Sequence, residues 1–255
     1  MAFARSGHEV VATARNPEDL ADLRDLPGVV ATLHLDVTDE ASVRASLTSA
    51  GEIDVVVNNA GYEVAGPVEL CNVEDVRRMF EVNYFGVVRM VQAFVPRMRH
   101  RGHGVFVNVS SVAGRVAGPF TGFYAGTKHA LEALSDAMHY ELGHFGIRTI
   151  LIEPGAIATN FSANVVHSGD HTPPYDELRQ QWDAAGSRLL GGGEAPGPEL
   201  VADAIVGATE DALDGGDGPR RIPVGDDATL VIPLVRSMGD AEFEALMRDT
   251  LGLDW

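Results

Sequence analysis

The sequence predicts an α/β protein, a doubly wound parallel sheet with helices on both faces, and three observations carry that expectation. Short apolar runs alternate with helical stretches up to Thr159, the pattern of βαβ units and a three-layer α/β/α arrangement. Polar or Gly-bearing residues close the successive runs: Arg15, Asp36, Asn59, Ser111 and Pro154-Gly155. In open parallel sheets ligands bind outside the carboxyl ends of the strands, where such residues would collect. The 255 residues, 45% hydrophobic and 22% charged, suit a globular chain with a sizeable core.

Ala2 to Ser6 reads as the last turn of a helix stopped by Gly7, the usual C-terminal residue. His8–Thr13 is a strand, and Pro17-Glu-Asp-Leu opens a helix with Pro and acids in its first turn. Val29–Leu35 is a second strand, and a helix runs from Thr38 to about Ala50. Ile53–Val57 is a short strand ending in Asn58-Asn-Ala-Gly61, followed by a long helix over Val73–Arg99 with Asn83 inside it. Val105–Val109 is a strand, Gly122–His144 a helix and Ile147–Ile152 a strand ending at Glu153-Pro-Gly155.

Past Thr159 the pattern loosens, with a helical segment over Tyr175–Leu190 and then Gly191-Gly-Gly193 and Pro196-Gly-Pro198. Long excursions in compact domains are usually functional, so residues 160–197 read as a substrate lid within one domain spanning 1–255. Phe161, His167, His171, Tyr175 and Trp182 give it an aromatic cast. Pro198–Leu213 is a helix, Arg220–Val224 a last strand and Asp240–Leu251 a terminal helix. The basic cluster Arg97, Arg99, His100 and Arg101 would complement a helix dipole.

A net charge of −18, from 19 basic and 37 acidic residues, opposes attraction to phosphate backbones and excludes nucleic acid as the expected partner. Cys71 is the only cysteine, which rules out an intrachain disulfide and fits the cytoplasm. No apolar run approaches a membrane span of ~20 residues, and no metal-ligand spacing stands out.

Tyr124 and Lys128 lie four apart in the predicted helix, neighbours on one face. A nearby ammonium favours a phenolate, whereas an unperturbed phenol titrates near ~10, too high for proton transfer at neutral pH. Such pairs are common on helix surfaces, but Lys128 is the only lysine in the chain. A compact ammonium differs there from the guanidinium used elsewhere. Ser111 stands thirteen residues before Tyr124, at the mouth of a strand.

Taken together, Asn58-Asn-Ala-Gly61, Asn83, Ser111…Tyr124-Ala-Gly-Thr-Lys128 and Pro154-Gly155-x3-Thr159 resemble the short-chain dehydrogenase/reductase family over nearly the whole chain. The resemblance implies a Rossmann-like fold and NAD(P)(H)-dependent interconversion of an alcohol and a carbonyl, the substrate being small to medium in size. By it, Tyr124 is the general acid/base, Lys128 lowers its pKa and meets the nicotinamide ribose, and Ser111 donates to the substrate oxygen. Ser110 is its structural neighbour, and Asn83 holds a water linked to Lys128. Asn59, Ala60 and Gly61 pass along the adenosine side, Asp36 and Val37 meet the adenine, and Pro154, Gly155, Ile157 and Thr159 belong to the cofactor's carboxamide and phosphate side. The long helices over Val73–Arg99 and Gly122–His144 imply a homodimer or homotetramer.

Arg15 directs the choice of cofactor. An arginine at this strand end suits a ribose 2′-phosphate, where an acid would take the 2′-hydroxyl, so NADP(H) is expected over NAD(H). The sequence departs from the family in lacking a first strand and its TGxxxGxG turn, where backbone N–H groups would bind the pyrophosphate. Neither Gly191-Gly-Gly193 nor Gly215-Gly-Asp-Gly218 has the strand-to-helix setting to replace it; both read as turns. Without that strand, His8–Thr13 and Ile53–Val57 must pair directly or leave a slot with unpaired backbone groups. A longer protein with an upstream start is the preferred explanation. The alternative is a shortened product, a cofactor-deficient binding or regulatory protein of the same fold.

Overall fold

The computed structural model describes residues 1–169, 173–189 and 194–252. One helical turn, α1 (Ala2–Arg5), leads into β1 (Val10–Ala14). The helix expected at Pro17 is a 3-10 segment over Pro17–Leu23, capped by Asn16 accepting from the Glu18 N–H at 3.2 Å. β2 (Val29–His34) follows, then α2 (Glu40–Ser49), whose N-terminus the Asp39 carboxylate caps through the Ala41 N–H at 2.8 Å. After β3 (Val55–Asn58) comes a two-residue strand, β4 (Val64–Ala65).

The single long helix expected next is interrupted. α3 (Val73–Phe80), capped by Asn72, passes through a π-helical turn over Glu81–Phe85 into α4 (Gly86–Arg101). Gly102, at φ 77°, ends it in the left-handed conformation. The basic cluster does more than face its own helix dipole. Arg97 donates to the Leu47 and Gly51 carbonyls at 2.8 and 3.2 Å, and Arg101 to the Ile53 carbonyl at 2.5 Å. These bonds tie the end of α4 to the end of α2 and the entry to β3.

β5 (Gly104–Val109), α5 (Gly122–Gly143) and β6 (Ile147–Pro154) form the centre of the molecule. Beyond them lie β7 (Val166–His167), a 3-10 turn over Pro173–Tyr175, α6 (Asp176–Leu189), α7 (Glu199–Leu213), β8 (Arg221–Val224), α8 (Asp226–Ser237) and α9 (Asp240–Leu251). The sequence reading did not contain β4, β7 or α8. His171 and Gly191–Gly193 lie outside the described residues.

All strand pairs are parallel, in the orders β1-β2, β3-β5-β6-β8 and β4-β7. β5 is apolar almost throughout because both its faces are covered. Phe106 packs on one side with Met90, Phe94, Met98 and Met138 of α4 and α5, while Val105 and Val107 pack on the other with Ile205 and Ala212 of α7. That is the alternation a strand imposes.

β1 and β3 are not hydrogen-bonded to each other. Of the two outcomes expected there, the structure contains the slot: β1 and β3 both line one cavity of about 1780 Å³. The β1-β2 pair is held instead by helices. Phe3 packs against the α7 side of the core, His8 Nε2 lies 3.0 Å from Glu210 Oε1, and Leu35 packs with the α4 side. Among the described residues, no helix is long and apolar enough to cross a membrane.

Candidate active site

The slot opens into the same cavity that Ser111, Tyr124 and Lys128 line. β5 delivers Ser111 just past its carboxyl end, where Oγ accepts the Ala113 N–H at 3.1 Å and caps the short turn Val112–Gly114. The same hydroxyl donates to the Pro154 carbonyl at 3.4 Å. α5 delivers Tyr124 and Lys128 from its first turns, both buried. Lys128 Nζ donates to the Val109 carbonyl at 2.8 Å and lies 5.7 Å from the Tyr124 ring centroid.

The electrostatics differ from the expectation for this pair. Burial pushes the Tyr124 phenol above its ordinary range; the adjacent Ser111 hydroxyl pulls it down, and Glu63 adds a further upward push. Burial also lowers Lys128 to about 8, against the opposing effect of Glu132. The expected lowering of Tyr124 by Lys128 is therefore not expressed here: the ammonium is engaged with Val109, and desolvation dominates both groups.

Asn83 sits in the π-helical turn, 1% exposed, and such turns recur at functional sites. Its Oδ1 accepts the Tyr62 N–H at 3.0 Å, while Nδ2 donates to the Tyr62 carbonyl at 2.9 Å and to Thr127 Oγ1 at 3.1 Å. Asn83 thus braces the segment after β3. Gly61 lies close beside it: a Cβ there would stand 3.1 Å from Asn83 Oδ1, tight enough to shift that amide, and 3.8 Å from Lys128 Nζ.

Val37, Asn59, Ala60, Gly61, Pro154, Gly155, Ile157 and Thr159 all line the cavity, but Arg15, Asp36 and Asn83 do not. Asp36 Oδ1 accepts from the Thr38 hydroxyl and N–H at 2.7 and 2.9 Å. Those bonds, and more weakly the Arg15 charge, hold its carboxyl below the usual range. Arg15 is exposed just past β1, and no described residue pairs with its guanidinium.

Three participants were missed from sequence. Asp227 of α8 accepts the Ala156 N–H at 2.7 Å, and a Cβ on Gly155 would meet its Oδ1 at 1.9 Å. Glu63 lines the cavity near Tyr124. Asn108 Oδ1 accepts from Asn58 Nδ2 at 2.8 Å across the β3–β5 register, and its own amide donates to Ser135 at 2.8 Å. From the stretch after Thr159, Phe161 lies 5.8 Å from the Tyr124 ring, and Trp182 occupies the space a side chain at Gly118 would need. Phe120, held at φ 65°, stacks under Arg179 at 4.2 Å and meets Tyr175 edge-on.

A nicotinamide cofactor fits these residues at both ends. Lys128 and Gly61 stand together on α5 and after β3, with Ser111 and Tyr124 on the same cavity, and the Arg15 guanidinium, without a described partner, stands past the end of β1. Among the described residues, the other glycine cluster offers no phosphate cradle. Gly218 turns on Asp211 between α7 and β8, its N–H 3.0 Å from the carboxylate.

A parallel sheet with half-buried Ser111 past the end of β5 and buried Tyr124 and Lys128 on α5 fits the class that the comparisons give, an oxidoreductase. The chain matches the short chain dehydrogenase family over residues 1–169, and it belongs to the short-chain dehydrogenase/reductase family. An uncharacterised oxidoreductase of Schizosaccharomyces pombe is 34% identical over 94% of this chain and 100% of its own length. A 3-ketodihydrosphingosine reductase of Bacteroides thetaiotaomicron is 36% identical over 64% of this chain and 60% of its own. Among solved structures, a short-chain dehydrogenase from Streptomyces avermitilis superposes with a TM-score of 0.80 at 32% identity, covering 100% of this chain and 92% of that one. A short chain dehydrogenase from Burkholderia cenocepacia in complex with NADP gives 0.73 at 26%, covering 96% and 86%.

Proposed function

We propose that the protein is an NADP(H)-dependent oxidoreductase that interconverts a small carbonyl and its alcohol, working as one domain over residues 1–255 with 160–197 as a lid. The carrying observation is the buried Tyr124 phenol beside the Ser111 hydroxyl, with Lys128 one turn further along α5. The bound cofactor supplies or accepts the hydride. In reduction Tyr124 gives its proton to the substrate oxygen, and in oxidation it takes that proton back. Ser111 donates to the same oxygen as charge develops. Lys128, already lowered to about 8, favours the phenolate when its ammonium turns from Val109 toward the phenol and the nicotinamide ribose. Asn83 braces the Tyr62 segment behind this corner and would hold the water that links Lys128 to solvent.

The unpaired Arg15 supports NADP(H) over NAD(H), with Asn59, Ala60, Gly61, Asp36 and Val37 along the adenosine side and Pro154, Gly155, Ile157 and Thr159 along the other. The similar Burkholderia structure holding NADP points the same way. The net charge of −18 and single cysteine favour a cytoplasmic enzyme that binds neither nucleic acid nor membrane. Tyr140 and Phe85, exposed on the α3–α5 helices, suit assembly into a homodimer or homotetramer.

A second reading, a cofactor-deficient binding or regulatory protein of the same fold, draws on the slot between β1 and β3 beside the cofactor residues. Titration with NADPH, followed by turnover of a carbonyl panel, separates the two. Saturable binding and NADPH consumption are expected; absence of binding at millimolar NADPH would favour the second reading. NADH efficiency equal to or above that of NADPH would contradict the cofactor choice.

A further inference from the structure

Glu63 lies between the Asn59–Gly61 segment and β4. Its carbonyl accepts the Val166 N–H at 2.8 Å, which fixes the residue at the β4–β7 seam. Glu63 lines the cavity with Ser111 and Tyr124. Among the described residues no cation, hydroxyl or N–H pairs with its carboxylate, and Lys128 donates to Val109 instead. Burial alone raises its pKa to about 7, with no positive charge offsetting that cost. Its charge is felt at the Tyr124 phenol.

Glu63 is half-buried at the cavity wall, and a carboxyl so placed, without a protein partner, can take a charged ligand group as its partner. We propose that Glu63 is a specificity-determining residue that receives the ammonium of the substrate, so that the preferred substrates are short amino ketones and amino alcohols. This rests on the oxidoreductase reading of the cavity. An ammonium supplies the opposite charge that the wall lacks, which favours the ionised carboxylate. It also cancels the smaller, charge-borne part of the upward push on the Tyr124 phenol, burial being the larger, so recognition favours proton transfer. An acidic substrate would meet a like charge, and an apolar ketone would leave the half-buried Glu63 unpaired.

Trp182 lines the same cavity, so its fluorescence reports ligand binding independently of turnover. Titration of the full chain with phenylethanolamine and with the matching phenylethanediol compares an ammonium with a hydroxyl at one position. The amine is expected to bind roughly tenfold or more tightly than the diol, about one decade in Kd. The ratio should fall to near one in both Glu63→Gln and Glu63→Leu. A ratio near one in the unaltered protein, or one that persists in both variants, overturns the proposal. Amine-selective binding that depends on Glu63, without reduction of any carbonyl, supports it and contradicts the proposed reaction instead.

Discussion

Asn83 holds Tyr62 by both of its backbone groups, accepting the N–H at 3.0 Å and donating to the carbonyl at 2.9 Å. The side-chain amide thus acts as a one-residue strand, pinning the segment that carries Gly61 and Glu63 into the cavity. Removing a buried partner leaves each orphaned group with a desolvation cost of about 1–3 kcal/mol. Asn83→Ala should lower stability by roughly 2–3 kcal/mol in urea denaturation on the same basis. A loss below about 0.5 kcal/mol, the range of neutral surface substitutions, would show that the brace does not hold the segment.

Arg15 supports a prediction about cofactor choice. It is exposed just past β1 and has no described partner, so its removal should change little within the protein. Charge-assisted hydrogen bonds contribute about 1.5–3 kcal/mol. Arg15→Ala should therefore weaken NADPH by roughly ten- to a hundredfold and leave NADH nearly unchanged, as measured by equilibrium titration of both. Equal weakening of the two cofactors would remove Arg15 from 2′-phosphate recognition.

Glu153, 1% exposed at the end of β6, has its pKa raised from 4.5 to about 7, first by burial and then by Glu132, against the pull of Arg115 and Arg221. The folded protein holds this proton more firmly than the unfolded chain does. The stability it contributes is therefore complete below 4.5 and lost as the pH rises to about 7. Glu153→Gln keeps the shape and removes the ionisation. Between pH 4.5 and 7 the unaltered protein should lose more stability than the variant, and above that window the variant should be at least as stable. Parallel stability curves would contradict this.

The features legible in the sequence were those carried by local spacing. Tyr124 and Lys128 share a helix face at any packing, and the apolar run at β5 could only be an interior strand. The long helix was harder, because the π-helical turn at Glu81–Phe85 leaves its apolar pattern almost unchanged while rotating Asn83 toward Tyr62. β4 and β7 are two residues each, too short to show an alternation. α8 carries Pro233 in its interior, which reads as a breaker, and so Asp227 was overlooked as the residue fixing Gly155. Glu63 has no sequence signal, because only tertiary folding brings it beside Tyr124. The upward push on Tyr124 was hidden for a similar reason: spacing reveals the proximity of Lys128 but neither the depth of burial nor the competing Val109 carbonyl.

The most direct test of Tyr124 as the proton donor is the rate of NADPH-dependent carbonyl reduction by the unaltered protein and by Tyr124→Phe, with circular dichroism of both. The substitution removes only the phenolic oxygen from a packed ring. The account predicts an unchanged spectrum and a rate lowered by about 10²–10⁴-fold, the range for a lost general acid. Reduction by the variant within tenfold of the unaltered protein would contradict it.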